Sequence, residues 1–363
     1  MSHSQTPLGG WMVRNRVWAL LLLAALWPLA DMVLPERLHV LEPMRTVFTF
    51  AILALGLNVV TGFTGLLNLG VAAFMAIGAY TFGIATCEIY PFQVGFWGGL
   101  LLTLPIGAAV GMILGAPLLR LRGDYLAIVT LGFGEIVQDV LKNLDVISKG
   151  TQGINPLPAP SFLGAEGSWR WGALEATDEL GWYYLLLGLL TLAVWACRNL
   201  ERSRIGRAWV SLREDELAAR SMGIRVERAK LVAFAVGAAL AAASGGLFAA
   251  AISSTGEPSN YDFQVSILAL CIVIVGGTGS VAGVLLGSLV MVGANSIVLT
   301  KFSEWITESG WGASGGVLTS PNNWKFLIFG LVLVLMVRFR PQGIMPPVLE
   351  GHPSSPPEAG RKP

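Results

Sequence analysis

Charge is the first thing this sequence has little of. Only 13% of its 363 residues are Asp, Glu, Lys or Arg, against about 25% in soluble domains, so roughly half the usual solvating surface is absent. What charge there is nearly cancels, with 24 basic and 23 acidic residues, which excludes the basic footprint of a nucleic-acid binder. Histidine is scarce as well. His3, His39 and His352 lie in a terminus, a loop and the tail, which excludes a histidine active site or proton relay inside the apolar segments. The three cysteines, Cys87, Cys197 and Cys271, are odd in number and widely separated. They form neither a metal spacing nor a disulfide framework, and each reads as a small apolar residue. No G-x-x-x-x-G-K-[ST] occurs, so the chain has no seat of that kind for ATP phosphates, and H-E-x-x-H and C-x-x-C are absent too.

What is present is apolar: 54% hydrophobic residues and a mean hydropathy of +0.64. Glycine, at 44 residues, stands well above its usual ~7%, without the G-X-Y period of collagen. These figures predict an all-α polytopic membrane protein. A spanning helix needs about 20 mainly apolar residues, and ten segments qualify. They are approximately 17–34, 45–62, 66–87, 93–119, 123–143, 181–197, 231–253, 264–279, 281–299 and 324–338. At two places, 62–65 and 276–283, glycines rather than charges mark the break. Pro28, Pro105 and Pro117 are tolerable in a bundle that re-satisfies freed backbone groups. The first apolar run is longer than a signal peptide's and no A-x-A-like site follows, so it reads as an uncleaved span. The tail, 341–363, is rich in Pro, Ser and Gly and reads as disordered.

Basic residues orient the bundle, because Lys and Arg accumulate on the cytoplasmic side. Ten spans with both termini inside place seventeen of the 24 basic residues in the cytoplasm. The densest stretch is 198–230, which holds nine basic and five acidic residues. Within it, Ser211-Leu212-Arg213-Glu214 fits a capping box, good helix formers follow through Ala218 and Ala219, and Gly223 suits a left-handed stop. The expectation is a single cytosolic helix of about three turns, capped at both ends and suited to dock a cytosolic partner. A solvated linker obeying the positive-inside rule is the plainer alternative.

Ala218-Ala219-x-x-x-Gly223 resembles the core of the loop by which ABC-importer permeases engage their ATPase. The longer stretch, from Ile205-Gly206-Arg207-Ala208 through Arg213-Glu214-Asp215-Glu216 to Gly223-Ile224, is similar to the version in branched-chain amino-acid importers. Further matches follow in order: Ala54-Leu55-Gly56-Leu57-Asn58, Gly62-Phe63-Thr64-Gly65, Asn68-Leu69-Gly70, Gly123-Asp124-Tyr125-Leu126, Leu131-Gly132-Phe133-Gly134-Glu135, Gly150-Thr151-Gln152-Gly153-Ile154, Gly276-Gly277-Thr278-Gly279-Ser280 and Arg340-Pro341-Gln342-Gly343. Together they span nearly all of 45–345 and resemble the LivM-type permease subunit. In one departure, the acidic residue that opens the family's coupling motif is Leu217 here, with Glu216 one place earlier.

The resemblance implies a permease domain over 1–340 that moves branched-chain or related neutral amino acids across a bacterial inner membrane. It implies that ATP and magnesium are bound by separate cytosolic subunits, with no cofactor in this chain. It also implies a second, paralogous permease and an extracytoplasmic solute-binding protein. The ATPase-coupling residues would then be Ser211, Arg213, Glu214, Asp215, Glu216, Ala218, Ala219 and Gly223. Urea and amide importers use similar subunits, which leaves the substrate open.

Several polar residues carry two readings. Glu135 and Asp139 lie at i, i+4 on the fifth segment with Gln138 beside them. A carboxylate there is costly facing lipid, so it either lines the path and meets an ammonium group, or fixes helix packing. Asn58 and Asn68 flank the first glycine break, as path-lining groups or as interhelical hydrogen-bonding ones. The outer loop, 144–180, is too long for a simple connection. If the importer reading holds, Gly150, Thr151, Gln152 and Gly153 belong to a docking surface for the binding protein; otherwise Trp169 and Trp171 anchor an interfacial loop. Gly107, Gly111 and Gly115, like Gly279, Gly283 and Gly287, form ridges for close helix contact within this chain or with another. The rival function is a secondary transporter coupling Glu135 or Asp139 to an ion gradient. An intramembrane enzyme lacks any nucleophile–base constellation.

Overall fold

A computed structural model describes residues 7–31, 41–118, 124–158, 160, 179–299, 301, 325–340 and 342–346. Among these residues the protein is all-α, and each of the ten expected segments holds a long helix. In chain order they are α1 (Pro7–Asp31), α2 (Leu41–Leu57), α3 (Val71–Thr86), α4 (Phe96–Leu118) and α5 (Asp124–Asn143). A one-turn α6 (Asp145–Ser148) precedes α7 (Glu179–Arg202), α8 (Arg204–Glu214), α9 (Glu216–Ser221) and α10 (Val226–Ala251). The series ends with α11 (Phe263–Gly276), α12 (Val281–Gly293) and α13 (Lys325–Phe339). The tail expected to be disordered and most of the outer loop, including Trp169 and Trp171, lie outside the described residues.

Five helical stretches are long and apolar enough to cross a membrane: Leu41–Phe63, Phe96–Pro117, Glu179–Arg202, Val226–Ala251 and Pro258–Gly276. Four shorter apolar stretches fall in α1, α3, α12 and α13. Helix α5 belongs to neither group, because Glu135, Asp139 and Lys142 interrupt its apolar face. It is an amphipathic helix, and crossing a membrane would require neighbours for its charged side.

Helix α10 runs through the centre, packed on α4, α3 and α2. On the far side of α2 lie α7 and the α11–α12 hairpin, while α1 lies on α7 and α12. Lipid is as apolar as leucine, so burial alone does not hold such helices together; close backbone approach and interhelical hydrogen bonds do. The glycine ridges supply that approach within this chain. A Cβ on Gly107 would lie 2.5 Å from Ala242 Cβ of α10, and one on Gly111 would lie 2.6 Å from Ala238 Cβ. Gly283 and Gly287 lie against the backbone of Gly276 and Ile272, closing the α11–α12 hairpin. On the opposite flank, the buried Tyr183 donates to Ala24 O at 2.6 Å, tying α7 to α1.

The third segment differs from expectation. A helix was expected from residue 66, but α3 begins at Val71, and residues 65–70 are not helical. Buried backbone must find partners even in a broken segment. Thr130 Oγ1 accepts from Leu69 N at 3.0 Å, Asn68 Oδ1 from Gly70 N at 2.9 Å, and Ser266 Oγ from Ala72 N at 3.0 Å. Helix α2 reaches this break through a π turn, Asn58–Phe63.

Candidate functional site

The segment between α7 and α10 is two helices rather than one. Ser203 is the N-cap of α8, its oxygen accepting from Gly206 N at 3.2 Å. Ser211, expected as a cap, instead lies inside α8, where its hydroxyl donates to Arg207 O at 3.1 Å. The capping box therefore does not form, because the helix is already running when Ser211 is reached. Asp215 is the working cap. Its backbone is extended, and its carboxylate accepts from Leu217 N at 2.8 Å and Ala218 N at 3.1 Å, so the chain turns and starts α9. The stop at Gly223 has the expected left-handed form, with φ of +83°.

Helix α8 is amphipathic, burying Gly206, Trp209 and Leu212. Trp209 is fully enclosed. Its indole N–H donates to Ala229 O of α10 at 2.8 Å, and its ring stacks on Phe63 with centroids 6.3 Å apart. Arg213, one turn on, reaches across the same end of the bundle. Its Nη1 donates to Gly62 O at 2.6 Å and reaches Thr278 O at 3.5 Å, while Nη2 donates to Thr278 Oγ1 at 3.3 Å. Gly62 closes the π turn of α2, and Thr278 lies in the turn between α11 and α12. Those two breaks are themselves joined, since Asn58 Oδ1 accepts from Gly279 N at 2.9 Å. Residues 342–346 cover the same turn: Ile344 N donates to Val275 O and Met345 N to Gly276 O, each at 2.9 Å. These are C-terminal carbonyls of α11 that would otherwise lack partners.

Helix α9 presents two faces. On the inner side Ala219 is buried and Glu216 accepts from the buried Lys230 Nζ at 2.9 Å. The acid that stands nearest the family's acidic position is therefore engaged within the chain. Arg220 pairs with Glu227 at 2.9 Å. On the outer side Ala218 is exposed, and Leu217 and Met222 are 74% and 85% exposed. Glu214 and Gly223 are exposed as well. Sequence reasoning missed Ser203, Trp209, Lys230 and Thr278. Trp209 carried a usable signal, as a lone large aromatic inside the most charged stretch of the chain.

The intramembrane polar residues divide. Asn58 and Asn68 are buried with their side-chain oxygens bonded to backbone amides, as packing groups are. Gln138 is buried too, its amide donating to Pro258 O at 3.2 Å. Glu135 and Asp139 point the other way, onto an exposed face of α5 shared with Ile128, Ile136 and Val140.

At the opposite end of the bundle, residues 150–157 are folded onto the turn after α10. Thr255 N donates to Ile154 O at 3.0 Å, Ile154 N to Thr255 Oγ1 at 2.8 Å, and Leu157 N to Ser253 O at 3.0 Å. Gly150 and Gly153 are buried at positive φ, whereas Thr151 and Gln152 are exposed. Tyr90 donates to Ile147 O nearby, and partial burial pushes its phenol above the ordinary range.

Residues 40–337 match a protein family described as the permease component of branched-chain amino acid transport systems. The chain is 38% identical over 348 residues to the high-affinity branched-chain amino acid transport system permease protein LivM of Salmonella typhimurium, covering 90% of this chain and 74% of that protein. The LivM protein of Escherichia coli is 38% identical over 342 residues, with the same coverage. A second kind of permease protein, LivH of Salmonella typhimurium, is 24% identical over 261 residues, covering 67% of this chain and 79% of that protein. Among solved structures there is no match.

Proposed function

This chain belongs to the family of branched-chain amino acid transport permease components, and we propose that it is a membrane-spanning subunit of an ABC importer for branched-chain amino acids in the inner membrane. It is the non-catalytic part of that machine. ATP is bound and hydrolysed by cytosolic partner subunits, and the sequence has no Walker-type phosphate loop of its own.

One observation carries the reading. The α8–α9 segment is anchored on its inner side to breaks in α2 and α11–α12, and on its outer side it leaves Leu217, Ala218 and Met222 exposed. That is the build of an element held by the membrane domain and offered to a soluble partner. We assign the outer face of α9 to the ATPase, so this end of the bundle is cytosolic and both ends of the chain lie inside, in agreement with the placement of the basic residues.

The exposed face of α5 lines the substrate path. Two carboxylates, Glu135 and Asp139, are too costly to turn toward lipid, and a path wall lets them meet the ammonium group of an amino acid. The path is completed by a second permease, for which the similarity to LivH supports a paralogue. At the other end, the exposed Thr151 and Gln152 on their glycine-shaped turn serve the extracytoplasmic binding protein.

Reconstitution in vesicles with the ATP-binding subunits, the second permease and the binding protein is the test. ATP-dependent uptake of leucine, isoleucine or valine is expected. Uptake that proceeds without the ATP-binding subunits and collapses with an ion gradient would count against the importer. ATP-driven uptake of urea or short amides in preference to amino acids would refute the substrate assignment alone.

A further inference from the structure

Arg213 lies in the segment that the sequence assigns to ATPase contact, yet its side chain, though exposed, makes its hydrogen bonds to Gly62 and Thr278 of the membrane domain. The structure assigns Arg213 a positioning role: it is the tie through which movement of α8–α9 reaches the two glycine breaks at once. The proposal rests on the importer reading and names a device inside it.

Three observations support the tie. The guanidinium bridges acceptors from two separate spanning units, Gly62 O at 2.6 Å and Thr278 Oγ1 at 3.3 Å. A planar fork reaches both at fixed angles, which a lysine ammonium on its single stem does not reproduce. Next, the backbone is shaped around this side chain. A Cβ on Gly65 would lie 3.1 Å from Arg213 Cγ, and one on Gly279 would lie 2.8 Å from Nη1, both glycines being at positive φ. Finally, Arg213 occupies the last turn of α8, two residues before the Asp215 kink into α9. A displacement of α9 therefore arrives at Arg213 before any other inward contact of α8. The breaks then move together, because Asn58 already joins them at Gly279 N.

The decisive quantity is uptake per ATP hydrolysed in the reconstituted complex. In Arg213→Ala the ATP-binding subunits should co-purify and hydrolyse ATP near the wild-type level, while uptake per ATP falls about tenfold, as for loss of a charge-assisted pair of hydrogen bonds. Arg213→Lys should recover part of that loss, and Thr278→Val should show a smaller one. Unchanged uptake per ATP in Arg213→Ala overturns the proposal. So does loss of the ATP-binding subunits from the complex, which would return Arg213 to the ATPase interface. If Arg213→Ala does not accumulate in the membrane, wild-type uptake per ATP in both Arg213→Lys and Thr278→Val overturns it instead. Hydrogen exchange on the permease without its ATPase provides an arm independent of transport. Amides at 62–65 and at 276–280 should both exchange faster in Arg213→Lys, and protection retained at either break refutes the tie. A wild-type complex with no ATP-driven uptake would instead count against the importer reading.

Discussion

Single residues set how closely the helices approach. Gly78 of α3 and Gly245 of α10 each lie where a Cβ would strike the facing backbone, at Ala242 and Met75 respectively. Gly188 of α7, by contrast, has nothing within 4 Å of its Cβ position. Gly245→Val should therefore lower thermal stability in detergent by about 1–3 kcal/mol or prevent accumulation, as overpacking does. Gly188→Ala should be neutral or stabilising by about 0.5–1 kcal/mol, the ordinary gain of removing a helical glycine. At Glu135 the expectation is functional rather than structural. Its side chain is exposed on α5, so Glu135→Gln should slow uptake while the melting temperature stays put. A normal rate with a lowered melting temperature would mean that the carboxylate serves packing. Sequence leaves two readings for Glu135 and Asp139 and for Asn58 and Asn68, and geometry divides these residues: Asn58, Asn68 and Gln138 are engaged by backbone, while Glu135 and Asp139 are turned outward. Spacing alone places residues on a helix face and does not say what that face meets.

Among the elements, α9 is the most exposed to a change of one residue. It is a helix of six residues, too short to persist without its cap and its inner contacts. Asp215→Ala removes the acceptor for two amides and should cost about 1 kcal/mol, fraying α9 while α8 stays folded. Binding of the ATP-binding subunits to the purified permease should weaken accordingly, a change readable by titration. Glu216→Gln leaves the buried Lys230 ammonium without its counter-charge. Glu216 is itself partly exposed, so water offsets part of the loss, and about 2 kcal/mol is expected in thermal unfolding. A helical element in 198–230 was legible in its helix formers and in the stop at Gly223, although the N-terminal cap expected at Ser211 does not form. Its division into two helices was not. Ser211-x-x-Glu214 has the right residues for a cap, but whether it acts as one depends on whether the preceding turn is already helical. That in turn depends on Trp209 and Leu212 finding a surface on other segments, a contact that local sequence does not contain.

For the whole molecule, ten apolar segments follow from hydropathy, and among the described residues each holds a helix, five of the helical stretches being long and apolar enough to cross a membrane. Which helix occupies the centre does not follow. Helix α10 is no more apolar than α4, and its position is set by small residues that meet glycine ridges on other helices. Orientation is open to a direct measurement. Cys87, Cys197 and Cys271 are all buried, so background labelling should be low. A cysteine at Leu217 should react with an impermeant maleimide only from the cytosolic face, and one at Thr151 only from the opposite face. Reaction of both from one side would invert or refute the topology. The joint at the cytosolic end has one more property, and it concerns time rather than force. Residues 342–346, which pair with Val275 and Gly276, follow every described helix in the chain. In chain order the described helices are therefore complete before the residues that finish the α11–α12 turn. A chain cut short at Phe339 would carry every described helix yet leave that turn unpaired, so the turn is the last part of the joint to find its partners.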